Sequence, residues 1–387
     1  MKETGKAFYA FLTLLLIIVV WGGYNWVLIM FVKGVGITGS SDLVPWGVYI
    51  VGFVFFVGAS AGASIIGLMI YGFGREDYKP LGTRAILVGF LSLMVAVLFL
   101  LSDVGNPFRA ALLPAVLRNP TSALVYTSIT YVGFAALMLG ELYYAVKFTR
   151  SGGVGSDMEE KIAKVLAILA LLFALMVVHA PHGALFAFVK AREMWNTPLL
   201  PPHFVVVALA TGTAIMILVA IITSKINKRE LVGIETLNHM GVLLAFFLIV
   251  TLFLDFFDYL VMIYVEKPAG LEIWHLLTGR FAPLFIINTA GMFAAMLILL
   301  FKRGRTIKGL SIASSLTLIA IIAYRIDLII IAQIPPLFPG IGEIYYIPTV
   351  PEMAVVAGLI ALGLFLYLVL AKVLPMEETV PEPEAGF

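Results

Sequence analysis

Residues 250–265 read VTLFLDFFDYLVMIYV, an apolar run that carries two aspartates and a tyrosine. Asp255, Asp258 and Tyr259 are spaced i, i+3 and i+4, so they share one face of a helix. A charged side chain at the centre of a membrane helix costs at least ~2.5–3.5 kcal/mol. We expect this face to point into a helix bundle and to serve a proton-dependent function. The alternative is that these residues form hydrogen bonds between helices and have a purely structural role.

The composition of the whole chain indicates the same class of protein. Of its 387 residues, 61% are hydrophobic and only 12% are charged, and the mean hydropathy is +1.06. These values are typical of a polytopic membrane protein. The sequence has no cysteine, which excludes iron–sulfur clusters, c-type haem, thiolate zinc sites and disulfides held by this chain. A net charge of +2 gives no indication of a nucleic-acid partner.

Hydropathy over windows of ~19 residues predicts ten transmembrane helices. We read the first as a retained span rather than a signal peptide, because its apolar run is too long for one. The prediction is a single transmembrane domain over residues 1–375, followed by an acidic, disordered cytoplasmic tail at 376–387. The ten predicted spans are 7–32, 44–72, 83–102, 121–147, 162–181, 202–223, 238–264, 281–301, 309–333 and 350–373.

The lysines and arginines predict the orientation. Segments on the side of the two termini hold 17 of the 25 basic residues, the opposite segments hold 7, and Arg325 lies inside a span. The positive-inside rule therefore predicts a cytoplasmic-membrane protein with both termini in the cytoplasm.

Short matches between the two halves indicate an internal repeat. SAGAS (60–64) resembles ATGTA (210–214), GFAALM (133–138) resembles MFAAML (292–297), and Asp103 lies at a depth comparable with Asp255. We therefore predict two four-helix bundles in parallel repeat, spans 2–5 (about 43–181) and spans 6–9 (about 200–333), flanked by spans 1 and 10. Small residues in these motifs permit close helix approach.

Four stretches in a fixed order also resemble a known family: PWGVYIVGFVFFVGASAGAS (45–64), GNPFR (105–109), WNTPLLPPHFVVVALATGTA (195–214) and YIPTVPEM (346–353). They resemble the NrfD/PsrC family of polysulfide-reductase-type membrane subunits, in the ten-helix branch with HybB, ActC and DsrP (HmeB). The resemblance implies a subunit without haem or iron–sulfur cluster. It also implies electron exchange between menaquinone and an extracytoplasmic, ferredoxin-like subunit with several iron–sulfur clusters, within a complex of further redox subunits.

Quinone chemistry moves two protons with two electrons, so titratable groups are needed beside the ring carbonyls. We predict that the catalytic groups are Asp255, Asp258, Tyr259, Asp103 and His179. The resemblance implies that Asn25 and Tyr131 lie near the quinone, with Tyr126 as the alternative to Tyr131. His182 and Arg109 complete the predicted quinone-binding set, with His182 as a ring-carbonyl donor and Arg109 as a partner of Asp103. A helix cap for Asp103 and a satisfied interface role for the two histidines are the alternatives.

Three further buried charges are predicted to form a proton path or ion pairs: Glu141, Arg325 and Asp327. Residues two apart do not share a helical face, so Arg325 is expected to pair with an acid of another helix. Asp255 or Asp258 is the expected partner, and Glu141 or Asp103 is the alternative. Glu352 is expected to cap span 10. No metal site is predicted, and a haem between His179 and His203 is disfavoured. The alternative function is a secondary transporter with parallel repeats; a structural anchor is a third interpretation.

Overall fold

The computed structural model describes residues 5–106, 123–152, 155–336, 340 and 344–376. Ten helices in these ranges are long and apolar enough to cross a membrane, and the ranges contain no β-strand. The predicted all-α integral membrane fold with ten spans is therefore confirmed. Spans 1 to 10 are Lys6–Lys33, Val48–Gly72, Glu76–Asp103, Val125–Arg150, Asp157–Ala187, Leu200–Asn227, Ile234–Tyr264, Ala282–Leu300, Ile307–Gln333 and Val350–Val373.

Several spans change helix type along their length. Spans 1 and 2 end in the π-helices Leu28–Lys33 and Leu68–Gly72, and span 3 begins with the 3-10 helix Glu76–Leu81. Span 5 is interrupted by the π-helix Phe173–His179 and then continues as the α-helix Ala180–Ala187. Outside the ten spans, the described residues also form the α-helix Pro268–Thr278 between spans 7 and 8 and the 3-10 helix Val35–Ile37, and span 9 ends in the 3-10 helix Ile331–Gln333.

Local sequence signals explain where two of the spans begin. Span 5 starts at Asp157, five residues before its predicted start, because Ser156 and Glu159 form a reciprocal capping box. Thr349 and Glu352 form the same arrangement at the start of span 10, which confirms the predicted capping role of Glu352. Each box satisfies backbone N–H groups that a helix end otherwise leaves without a partner.

The spans pack in two rings. Spans 2, 3, 4 and 5 each contact the next and span 5 returns to span 2; spans 6, 7, 8 and 9 do the same. Spans 2 and 6 join the two rings, while spans 1 and 10 pair with each other and span 10 rests on span 3. We call the rings of spans 2–5 and 6–9 the first and second bundle. That they are repeats of one another stays a prediction.

The contact between the bundles depends on two glycines. A Cβ atom added to Gly62 would lie 2.4 Å from Cα of Gly212, and one added to Gly212 would lie 2.2 Å from Cα of Gly62. Both distances are far below van der Waals contact, so only glycine allows the two backbones to approach this closely. One turn earlier, a Cβ on Gly58 would meet Cα of Ala208 at an ordinary 3.6 Å.

Because ten spans alternate, the connections 1–2, 3–4, 5–6, 7–8 and 9–10 lie at the end of the molecule opposite the two termini. We call this the opposite end and the other the terminal end. Rings of Trp46, Phe186 and Trp195 cluster at the opposite end with centroids 5.3–5.4 Å apart. The buried Arg192 donates there to the carbonyls of Gln333 (2.8 Å) and Pro335 (2.7 Å). Burial lowers the pKa of Arg192 from its ordinary value.

Candidate functional site

The predicted site residues fall into four separate clusters rather than one. The first lies in the first bundle, where the π-helix of span 5 leads into the motif HAPH (179–182). Pro181 lacks a backbone N–H, so the regular hydrogen-bond ladder cannot continue through it. π-Helical turns are frequent at functional sites. Both His179 and His182 are buried there.

His182 is held by two hydrogen bonds. Its Nδ1 lies 2.5 Å from the carbonyl oxygen of Val178, and its Nε2 meets the hydroxyl of Tyr131 on span 4. Because the carbonyl can only accept, Nδ1 carries the proton and the Tyr131 hydroxyl donates to Nε2. The two rings also stack with centroids 5.4 Å apart, and Phe53 packs edge-on against both. The structure thus brings together the predicted residues Tyr131 and His182.

His179 lies beside this pair in a different environment. Neither of its ring nitrogens has a hydrogen-bond partner among the described residues, although the side chain is only 2% exposed. Arg325 of span 9 acts electrostatically on both His179 and His182. Arg325 therefore lies close to both bundles.

The second cluster contains the polar face of span 7 that the sequence predicts. Asp255 Oδ1 lies 2.8 Å from Nε2 of His203, which lies in the first turn of span 6 just after two prolines. The ring of Tyr324 packs on that of His203 with centroids 4.6 Å apart, and His203 Nδ1 is buried without a partner among the described residues. Prolines fit the first turn of a helix, so the sequence PPH fixes where span 6 begins and where His203 lies.

Asp258 and Tyr259 flank the Asp255–His203 pair. Asp258 is partly buried near the side chain of Thr197, and the hydroxyl of Tyr259 is buried without a hydrogen-bond partner among the described residues. The ring of Tyr259 packs against Phe285 and Trp274, with centroids 5.4 and 6.0 Å away. The three residues of the opening motif therefore belong to one polar region at the opposite end.

Arg325 and Asp327 differ from the prediction in their contacts. The expected ion pair of Arg325 with Asp255 or Asp258 does not form; its guanidinium carbon instead lies 4.3 Å from the ring centroid of Phe204. Arg325 Nε and Nη1 and both carboxylate oxygens of Asp327 have no hydrogen-bond partner in the part of the chain that the structure describes. Charged groups without partners in such places are costly, and they mark sites where water, a proton or a ligand is exchanged.

The third cluster surrounds Asp103, at the opposite end of span 3. A cavity of about 200 Å³ is lined there by Asp103, Ser102, Tyr49 and the connection between spans 1 and 2. Trp26 Nε1 donates to Ser102 Oγ over 3.0 Å, and the Tyr49 hydroxyl has no partner among the described residues. Arg109, the predicted partner of Asp103, lies outside the described residues.

Asn25 does not join the Tyr131–His182 pair through its own hydrogen bond. Its amide is buried on span 1 and donates to the carbonyl of Trp21 within the same helix, over 2.9 Å. Span 1 packs chiefly against span 10, outside both bundles. A shared quinone contact of Asn25 and Tyr131 therefore stays a prediction.

The fourth cluster is Glu141, ten residues after Tyr131 on span 4 and hence roughly 15 Å further toward the terminal end. Glu141 is 3% exposed, and neither carboxylate oxygen has a partner among the described residues. A cleft of about 470 Å³ approaches it from the terminal end, lined by Ala145, Thr149 and Thr83. Ala145 stands one helical turn from Glu141.

Several polar groups of these clusters are absent from the predicted site, among them His203, Tyr324 and Tyr49. On the sequence alone, we consider His203 only as a haem ligand, although the two prolines before it indicate the start of a helix. Tyr324 adjoins Arg325 in the sequence, but only packing shows that its ring covers His203. Among the described residues, no three His, Asp or Glu side chains come together as ligands for a metal ion.

Comparison with known proteins decides the family. The family model described as "Polysulphide reductase, NrfD" matches residues 36–336. The chain belongs to the NrfD family. A selenate reductase subunit from Mesobacillus selenatarsenatis is 27% identical to this NrfD chain, over 89% of each protein. The Hdr-like menaquinol oxidoreductase integral membrane subunit of Archaeoglobus fulgidus is 26% identical, over 87% of the chain and 86% of the relative.

A third relative, the menaquinone reductase integral membrane subunit of Nitratidesulfovibrio vulgaris, is 25% identical over 58% of the chain and 56% of the relative. The resemblance seen in the sequence motifs is thus confirmed. This NrfD protein is a multi-pass membrane protein whose relatives are membrane subunits of redox complexes.

Proposed function

We propose that this chain is the quinone-reactive membrane subunit of a multi-subunit redox complex in the cytoplasmic membrane. It exchanges electrons between menaquinone or menaquinol and an iron–sulfur partner on the extracytoplasmic side, with both termini in the cytoplasm. The names of two relatives refer to menaquinol and menaquinone, which supports the substrate class. The observation that carries the proposal is the Asp255–His203 hydrogen bond inside the second bundle, near the opposite end.

Menaquinone takes up two electrons and two protons when it is reduced and releases them when it is oxidised. His203 is suited to the proton step, because Nε2 is engaged by Asp255 while Nδ1 has no protein partner among the described residues. A proton taken up at Nδ1 leaves an imidazolium beside the Asp255 carboxylate, which stabilises it. Asp255 also fixes the orientation of the ring, as a carboxylate does for a catalytic histidine in general.

The neighbouring groups supply what a ring carbonyl or hydroxyl needs. The buried Tyr259 hydroxyl is a hydrogen-bond donor without a partner among the described residues. Asp258 lies on the same helical face as Asp255 and Tyr259. Asp255 lies nine residues before Tyr264, the end of span 7, which is roughly 14 Å of helix. A ring at that depth keeps its isoprenoid tail in lipid.

The test compares two turnover assays of the purified complex, one with a soluble menaquinone analogue and one with an artificial dye. Asp255→Asn and His203→Gln should each lower quinone turnover by on the order of 100-fold, the contribution of a positioned acid–base group, and leave dye turnover intact. Asp157→Asn, an exposed acid at the start of span 5, is the matched control. Normal quinone turnover in both site variants would show that the hydrogen bond between Asp255 and His203 has only a structural role.

The first bundle offers a second location for the quinone, because Tyr131 and His182 form a buried hydrogen-bonded pair with the unpartnered His179 beside them. Tyr131→Phe removes one hydroxyl and keeps the ring stacking. If the quinone binds in the second bundle, this variant retains quinone turnover. Loss of turnover in Tyr131→Phe together with normal turnover in Asp255→Asn would place the quinone in the first bundle.

The electron partner is expected at the opposite end. The chain has no cysteine, so electrons must reach it from another subunit. The proline-rich connections there expose the apolar side chains of Phe188, Tyr345 and Ile347, which suits a stable protein interface. Crosslinks from the iron–sulfur subunit should fall in 182–201 and 334–349, and in 103–120, most of which lies outside the described residues. Crosslinks concentrated in 148–161 or 224–237 would contradict this arrangement.

A further inference from the structure

A groove of about 380 Å³ lies at the terminal end of the second bundle, where spans 6, 7 and 9 meet. It is remote from the four polar clusters, because three of them lie in the first bundle and the fourth, around Asp255 and His203, lies near the opposite end of the second bundle. Its floor is apolar and is formed by Ile221 of span 6, Ile234 and Leu237 of span 7, and Ile307 of span 9. Its rim carries Lys225, Lys228 and Arg229, and Glu230 is the one acid among the described residues that line it.

The backbone holds this rim in place. Span 6 ends at Asn227, and Lys228 adopts a left-handed conformation with a φ of 54°, which is uncommon for a residue with a side chain. Ser224 fixes the turn that follows, since its hydroxyl accepts from the N–H of Leu231 over 2.9 Å and its carbonyl from that of Arg229 over 3.2 Å. The chain therefore folds back over the end of span 6 and lines the groove with Val232.

The charges at the rim are unbalanced. Among the described lining residues, the exposed Lys225 and Lys228 stand against Glu230, which leaves the rim basic without counting Arg229. Lysine side chains at the end of a membrane helix extend their charged groups to the lipid head-group level while their methylene stems stay in apolar surroundings. A basic pocket between the ends of membrane helices suits an anionic lipid head group.

We infer that this groove binds one anionic phospholipid, with its phosphate at Lys225 and Lys228 and the start of an acyl chain on the apolar floor. The occupant must carry both a negative head group and a hydrocarbon chain, because the groove offers cations at the rim and aliphatic side chains below them. The predicted orientation makes this a lipid of the cytoplasmic leaflet. The bound lipid joins the ends of spans 6, 7 and 9, three of the four helices of the second bundle.

The experiment titrates the full-length purified protein in detergent with phosphatidylglycerol or phosphatidylcholine and counts bound lipids by native mass spectrometry. The wild-type protein should bind one phosphatidylglycerol in preference to phosphatidylcholine. The double variant Lys225→Gln/Lys228→Gln should bind that lipid on the order of 30-fold more weakly, because each basic side chain contributes about fivefold. Both side chains are exposed, so the fold should tolerate the change.

The matched control is Lys302→Gln/Arg303→Gln, which removes two exposed basic residues at the terminal end of span 8, outside the groove. This control should keep wild-type affinity for phosphatidylglycerol. Equal losses in the two double variants, or no preference of the wild type for the anionic lipid, would overturn the proposal. Displacement of the lipid by an equal concentration of glycerol phosphate would also overturn it, since the groove would then bind free phosphate.

Discussion

Substitution of alanine for Gly62 tests how the two bundles are joined. The added Cβ would lie 2.4 Å from Cα of Gly212 and 2.5 Å from the carbonyl oxygen of Ala208. Carbon atoms in contact prefer about 3.5–4.0 Å, so spans 2 and 6 would have to separate by roughly 1 Å. Neither obstacle is a side chain that could rotate away, because both are backbone atoms. We expect Gly62→Ala to destabilise the protein by about 1–3 kcal/mol, the usual cost of overpacking.

Gly58→Ala is the matched control on the same face of span 2. Its Cβ would meet Cα of Ala208 at 3.6 Å, which is ordinary contact. Alanine also favours a helix over glycine by about 0.8–1.0 kcal/mol, so this variant should be neutral or slightly more stable. The two substitutions have the same chemistry and differ by one helical turn. Any difference in stability between the two variants is therefore due to the close contact of Gly62 with Gly212.

The assay is thermal unfolding in detergent, followed by circular dichroism and by the onset of aggregation. The double variant Gly62→Ala/Gly212→Ala should lose less than the sum of the single variants, since helices that have separated for one methyl group accommodate the second. Equal unfolding temperatures for Gly62→Ala and Gly58→Ala would refute the close approach of the two backbones.

Three further predictions concern the opposite end. Arg192→Lys should destabilise the protein by about 1–3 kcal/mol in thermal unfolding, because a single ammonium nitrogen cannot replace both Nη1, which donates to the carbonyls of Gln333 and Pro335, and Nη2, which donates to that of Leu43. Lys190→Arg, at an exposed neighbouring position, should change nothing. Glu352→Gln should lower stability by about 1–2 kcal/mol, since the buried carboxylate accepts hydrogen bonds from the backbone N–H groups of Gly39 and Thr349; retention of wild-type stability would contradict its capping role. The pKa of Tyr346 is raised by burial, so its contribution to stability is present below its unfolded pKa of about 10 and is lost as the pH rises above that value. Tyr346→Phe should therefore be less sensitive than the wild type to pH between about 10 and 12, and identical slopes would contradict this.

The spans were predictable because each is a long apolar run, and ten such runs carry a strong signal in hydropathy alone. The helix Pro268–Thr278 was missed because eleven residues cannot cross a membrane, so a window tuned to spans does not detect it. Pro268 at its first turn and Gly279 after its end were the local signals of that helix.

The candidate site was predictable only in part. Helical spacing placed Asp255, Asp258 and Tyr259 on one face, but it could not identify the partner of that face. The partner of Asp255 is His203, 52 residues earlier, and their contact depends on how spans 6 and 7 pack. The same limit applies to the predicted ion pair of Arg325. A buried cation needs a neighbouring group, but the sequence does not identify that group. In the structure, the guanidinium of Arg325 lies over the ring of Phe204 rather than beside an acid.

The buried charges of span 9 also bear on how the protein enters its membrane. Arg325 and Asp327 would each cost at least ~2.5–3.5 kcal/mol at the centre of span 9 if this helix partitioned into lipid alone. Span 9 packs extensively on span 8, and it also contacts spans 6 and 2. During biogenesis, span 9 is therefore expected to leave the translocon as a hairpin with span 8, onto helices already in the bilayer.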